Sequence, residues 1–130
     1  MPLSEETRRE IFETLRRNLL KIAPPMVVSA DVENTAFEII GNKPAPYGHD
    51  KKIVPGIYFA SLAHRKESVA FYFFPLYMNP KMKETAPSLM KCLKGKTCFH
   101  FTKTVQVNEA ELVLLLKEGV EDWIKSGYMQ

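Results

Sequence analysis

The chain has 130 residues, of which 45% are hydrophobic and 25% charged, with a formal net charge of +3; one globular domain spanning residues 1–130 has this composition, and a disordered or low-complexity protein does not. No run reaches the ~18 consecutive apolar residues of a membrane span, and Met1 to Glu13 is charged where a secretory leader turns apolar, so a cytoplasmic protein with no membrane partner is expected. Two cysteines, Cys92 and Cys98, are too few for a disulfide scaffold and are expected as free thiols.

Ser4 before Glu5 and Glu6 reads as a helix start, because its hydroxyl can accept an orphan amide and the acids suit the positive end of the helix dipole. Ile11, Leu15, Leu19 and Ile22 recur at helical spacing until Pro24 and Pro25, which predicts a helix over 5–22. Met26 to Val32 is ambiguous between an edge strand and an extended connector, whereas Ala36 to Ile40 reads as a strand closed by Gly41-Asn42-Lys43-Pro44. Pro44 to Pro55, holding Tyr47, Gly48, His49 and Asp50, reads as a long loop, and long loops often carry function.

Ile57 to Ala63 and Ser68 to Phe74 are strand-like, and the short connector at Arg65-Lys66-Glu67 predicts a hairpin. Asn79-Pro80 resembles a helix start and Pro87 interrupts that helix, so two short helices or one broken helix are expected through Leu93 with Gly95 as left-handed terminator. Thr97 to Thr102 returns to strand. Asn108 with Glu111 resembles a capping box, and Leu112, Leu115, Leu116, Val120, Trp123 and Ile124 form a helical stripe up to Gly127. The expected fold class is therefore α+β, an antiparallel sheet of about four strands covered on one face by N- and C-terminal helices.

Alternate strand residues point to opposite faces, so each strand divides into two sets. Phe37, Ile39, Ile57, Phe59, Val69, Phe71, Phe73, Phe99 and Phe101 are large and apolar, and belong under the helices. The other set holds Glu38, Ile40, Tyr58, Ala60, Leu62, Ala70, Tyr72, Phe74, Cys98 and His100, a mixture expected of a partly covered face. Either loops and the segment 26–32 cover it, or it is a working surface. In the second case Tyr58, Tyr72, Phe74 and His100, with Tyr47 and His49 from the loop, are the candidate ligand or interface residues.

No phosphate-binding glycine loop or nucleophile elbow is present, so no catalytic residue is assigned. Cys98-x-His100 lacks the paired ligands of a structural zinc site, and no metal or cofactor is assigned. As a nucleophilic pair it is disfavoured, since side chains two apart on a strand diverge from hydrogen-bonding reach unless the strand bends, and no third, orienting residue is evident. Charge is uneven: residues 1–42 carry five basic and seven acidic side chains, 43–103 eleven and three, and 104–130 two and five. Lys81, Lys83, Lys91, Lys94, Lys96 and Lys103 could neutralise phosphates while Tyr58, Tyr72 and Phe74 stack on bases, but lysines also form ordinary solvated faces, and nucleic acid is disfavoured as a partner.

Lys43-Pro44-Ala45-Pro46-Tyr47-Gly48, the run from Val69 to Pro80 and Leu93-Lys94-Gly95-Lys96-Thr97-Cys98-Phe99-His100-Phe101 together resemble the YdhG-like family, a bacterial domain of unknown function. The resemblance implies an α+β sandwich, distantly frataxin-like, and a role for some members in iron delivery. Frataxin-like iron handling uses clustered carboxylates on the first helix. Here Glu5, Glu6, Glu10 and Glu13 alternate with Arg8, Arg9, Arg16 and Arg17, and pairs such as Glu5 with Arg9 and Glu13 with Arg17 oppose Fe²⁺ accumulation. The leading expectation is a non-enzymatic binding module whose open sheet face holds a small molecule, a partner protein or a second copy as a homodimer, with an iron chaperone as alternative.

Overall fold

The computed structural model describes residues 3–33 and 35–130. Helix α1 runs Glu5–Leu20 and starts as its sequence dictates, with Ser4 Oγ accepting the Thr7 amide at 3.2 Å. It stops short of residue 22, giving way to turns ahead of the two prolines. Helix α4, Glu109–Lys125, begins with Asn108 Oδ1 accepting from the Glu111 amide at 3.1 Å. The Glu111 carboxylate does not close the box; it accepts from the amides of Ser88 and Leu89 at 2.9 and 3.1 Å. One acid thus supplies the missing acceptor at the start of a neighbouring short helix and ties the two segments together. Between residues 73 and 93 lie two four-residue helices, α2 (Pro75–Met78) and α3 (Pro87–Met90), separated by a 3-10 segment over Pro80–Thr85.

The main sheet is antiparallel and has six strands rather than about four, in the order β1-β2-β5-β6-β8-β7. These are β1 Val27–Val32, β2 Ala36–Ile40, β5 Tyr58–His64, β6 Val69–Phe73, β7 Leu93–Lys94 and β8 Cys98–Phe101. The two additions are the edges: the ambiguous segment pairs with β2, and Leu93–Lys94 forms a minimal strand on β8. Gly95, at φ +80°, turns the chain between β7 and β8 instead of ending a helix. The expected loop at 44–55 is a second, two-stranded ribbon, β3 (Ala45–Tyr47) with β4 (Lys52–Val54), turned through Gly48 at φ +88° and Lys51 at φ +54°.

Every residue assigned to the covered face is buried: Phe37, Ile39, Phe59, Val69, Phe71, Phe73, Phe99 and Phe101 are fully so, and Ile57 nearly so. Ile11, Phe12, Leu15 and Leu19 of α1 and Leu112, Leu115, Leu116 and Trp123 of α4 complete this core. Gly119 sets the approach of α4, because a Cβ there would lie 2.7 Å from Phe73 Cζ and 2.9 Å from Phe59 Cζ. Ile124, placed in the apolar stripe, is instead half exposed.

The parity of β5 is broken by a bulge. Ile39 lies opposite Ala60 but Ile40 lies opposite Tyr58, which leaves Phe59 as the extra residue. Phe59 and Ala60 therefore both turn toward the helices, Leu62 follows, and the expected placement of Ala60 and Leu62 on the open face is wrong. Ser61 takes that place.

The anticipated Glu5–Arg9 and Glu13–Arg17 pairs do not form. Arg8 pairs with Glu5 at 3.0 Å, Arg16 with Asp31 at 2.7 Å and Arg17 with Glu109 at 2.7 Å, so two of the three bridges fasten α1 to other elements. The Asn18 amide and the Arg17 guanidinium hold the Glu109 carboxyl below the usual carboxylate range. A carboxyl more acidic when folded contributes stability above its unfolded pKa and loses it as pH falls through the folded value. The pair is solvent-screened, so the effect is small. Glu109→Gln should lower the urea midpoint at about pH 6 and match wild type at about pH 3; an equal deficit at both would show that the charge is not the source.

Candidate functional site

The strand register puts Glu38, Ser61, Tyr72 and Cys98 side by side across β2, β5, β6 and β8, on the face away from the phenylalanines. Ala63, Ala70 and His100 form the next row along the strands, and Tyr58 lies on the other side of Ser61. Most of this face is half-buried, in contrast to the fully buried set behind it. Alanines and a serine make a low floor, with two tyrosines and a histidine rising from it.

The polar groups form four hydrogen-bonded units. Ser29 Oγ donates to Glu38 Oε2 at 2.6 Å, and the hydroxyls of Tyr58 and Ser61 pair at 2.6 Å. Arg65, from the turn between β5 and β6, folds back so that Nη2 donates to the Tyr72 hydroxyl at 2.6 Å, its guanidinium 5.9 Å from the ring centre. The fourth unit corrects the expectation that Cys98 and His100 diverge: Cys98 Sγ lies 3.3 Å from His100 Nε2. It also corrects the absence of an orienting residue, because Ser68 Oγ lies 3.2 Å from His100 Nδ1. Two arrangements satisfy all three: the thiol donates to Nε2 while Nδ1–H donates to the buried Ser68, or the Ser68 hydroxyl donates to Nδ1 while Nε2–H donates to the sulfur.

Burial pushes the Tyr58 phenol up to about 12, so it stays neutral. Burial also pushes the Cys98 thiol up, opposed by a hydrogen bond from the Tyr72 hydroxyl and by the nearby charge of Arg65. Cys92, raised by burial as well, is packed into the core, and its carbonyl accepts the His100 amide at 2.9 Å. Among the described residues no three His, Cys, Asp or Glu side chains converge as a metal-holding group.

Of the residues singled out from sequence, Tyr58, Tyr72 and His100 share the open face. Phe74 turns the end of the sheet, with its ring centroid 5.9 Å from Tyr58, 5.8 Å from Tyr77 and 6.0 Å from Trp123, and so bridges the open face to the core. Tyr47 and His49 lie exposed on the β3–β4 ribbon, and among the described residues no hydrogen bond or ring contact joins them to the face. Strand parity places Glu38 on this face without naming it a candidate, and sequence reasoning does not single out Ser61, Arg65 or Ser68. Recognising the bulge would have exposed Ser61, but no periodicity shows a turn arginine folding back over a strand.

The basic middle meets an aromatic ring elsewhere. Lys96 Nζ sits 5.5 Å from the Tyr77 ring centre beside Lys83, in a cleft of about 430 Å³, and not over Tyr58 or Tyr72. Among the described residues no helix is long and apolar enough to cross a membrane. Comparison with protein-family models, with curated proteins and with solved structures finds no match for this chain.

Proposed function

We propose that the protein is a binding module that holds a small, planar, anionic ligand on the open sheet face. The observation that carries this reading is the exposed Arg65 guanidinium held on Tyr72 above a floor of Ser61, Ala63 and Ala70, with the Tyr58 hydroxyl bonded to Ser61 on the same face. A cation with unused donors fixes a carboxylate or phosphate, and aromatic walls supply apolar area with polar tips.

Size decides between a small ligand and a second copy. Five inter-strand gaps of about 4.8 Å and strands of about five residues give a face of roughly 400 Å², about half of what each partner contributes to a standard protein interface. A stable homodimer through this face alone is therefore disfavoured. A frataxin-like iron role finds less support than ligand binding, since Arg8, Arg16 and Arg17 lie along α1 and engage Glu5, Asp31 and Glu109. The YdhG-like resemblance is compatible with this reading, because it concerns the order of strands and helices and leaves the ligand open.

The test is an amide chemical-shift titration with benzoate, salicylate and indole-3-acetate as probes. Saturable shifts are expected in β5, β6 and β8, with affinity falling about tenfold or more in Arg65→Ala and in Tyr72→Ala. Unperturbed strands across all three probes, or variants that bind as wild type does, would defeat the proposal. Thermal unfolding of Tyr72→Ala separates lost binding from a lost fold.

A further inference from the structure

We infer that Cys98 and His100 are a nucleophile and its base, with Ser68 as positioning residue, able to accept an acyl group from an activated ester or thioester. The geometry is a continuous chain: Ser68 Oγ, 3.2 Å to His100 Nδ1, and His100 Nε2, 3.3 Å to Cys98 Sγ. Both ring nitrogens are engaged, which fixes the ring's orientation, and the tautomer with its proton on Nδ1 presents Nε2 to take the thiol proton. Ser68 is 6% exposed, so the orienting bond is sheltered from water.

Two neighbours suit the developing charge. The Tyr72 hydroxyl accepts from Arg65 through its oxygen and so keeps its own proton to donate beside the sulfur, where a carbonyl oxygen would become an oxyanion. Burial favours the protonated thiol, so Cys98 depends on a base in contact rather than on a standing thiolate. In the step, Sγ bonds to the carbonyl carbon as its proton passes to Nε2. The bond from that carbon to the leaving oxygen or sulfur breaks, and the imidazolium returns the proton to the leaving group. The products are a thioester at Cys98 and a free alcohol or thiol.

This goes beyond the ligand reading and does not depend on it, because an uncharged ester such as p-nitrophenyl acetate needs no anion site. The full chain is treated with p-nitrophenyl acetate while nitrophenolate release is followed, and the modified residue is located by peptide mass. About one acetyl per chain on Cys98 is expected, formed faster than on the free thiol of N-acetylcysteine at the same pH. His100→Gln should slow it by about 10²- to 10⁴-fold. Ser68→Ala should slow it by about tenfold, with recovery in Ser68→Thr, a rescue that a merely structural role would not predict. Cys92→Ser should react as wild type does. Acetylation at lysines or Cys92, a rate no higher than that of N-acetylcysteine, or an unchanged rate in folded His100→Gln would each overturn the inference. Should His100→Gln fail to fold, the wild-type comparison with N-acetylcysteine and the Ser68 pair still decide it.

Discussion

Trp123→Ala is expected to lower the unfolding free energy by about 3–5 kcal/mol. The indole is fully buried and its Nε1 donates to the Ile57 carbonyl at 3.3 Å. Its ring stands edge-on to Phe59 at 5.3 Å and to Phe74 and Tyr128 at 6.0 and 5.5 Å, so it locks α4 to the strand that carries the bulge and to the end of the open face. Truncation leaves a cavity that rigid aromatic neighbours cannot fill and removes one of two donors from the Ile57 carbonyl, which keeps the Gly41 amide at 2.9 Å. Against a typical total of 5–15 kcal/mol, that loss brings the protein close to unfolding. Urea denaturation followed by far-UV circular dichroism measures it, since the substitution removes the only tryptophan. Val113→Ala, on the outward side of α4, is the control and should change stability by no more than about 0.5 kcal/mol. Equal losses in the two variants would mean that α4 presents a different face to the sheet.

Much of the fold was legible because two periodicities are written plainly in the chain. The phenylalanines of β2, β6 and β8 alternate without interruption, and both long helices carry serine or asparagine caps and apolar stripes. The elements that stayed ambiguous or escaped lack those signals. β1 is an edge strand with five of its six residues exposed, so no buried set announces it, and β7 is two residues long. The β3–β4 ribbon contains Pro46, and Ile53 is exposed, so its sequence does not separate it from a loop. The bulge at Phe59 reads as ordinary alternation until its neighbour strand shows which residue has no partner.

The open face was legible in outline for the same reason, and its chemistry was not. Tyr72, Cys98 and His100 follow strand parity, but hydrogen-bonding contact between Cys98 and His100 depends on side-chain rotation that spacing alone does not reveal. Ser68, two residues before Ala70, shares the parity of the strand predicted over 68–74, but its partner lies 32 positions away and parity does not name it. Arg65 reaches Tyr72, 7 positions on, only because its side chain folds back from the turn, and a turn's polar residues carry no periodicity.

That turn is held from behind by one side chain, Arg8, which in sequence reads as part of a solvated helix face but is only 6% exposed. Its Nη2 donates to the carbonyls of Arg65 and Lys66 at 3.2 and 2.9 Å, Nη1 meets Glu5 at 3.0 Å, and Nε has no hydrogen-bond partner among the described residues. Arg8→Met keeps the apolar stem but leaves the Arg65 carbonyl without its donor and the Lys66 carbonyl with only the Leu3 amide at 3.1 Å, which should cost about 1–3 kcal/mol. Arg8→Lys should recover only part of this, because an ammonium cannot reproduce the planar fork. Arg9→Met, exposed on the same helix, should stay within about 0.5 kcal/mol of wild type. Because the clamped turn carries Arg65 and leads into Ser68, Arg8→Met should also speed amide hydrogen exchange over residues 65–68 under conditions where the protein remains folded. Unaltered exchange there, together with a wild-type melting temperature, would mean that α1 does not hold the turn and that the open face is organised by the sheet alone.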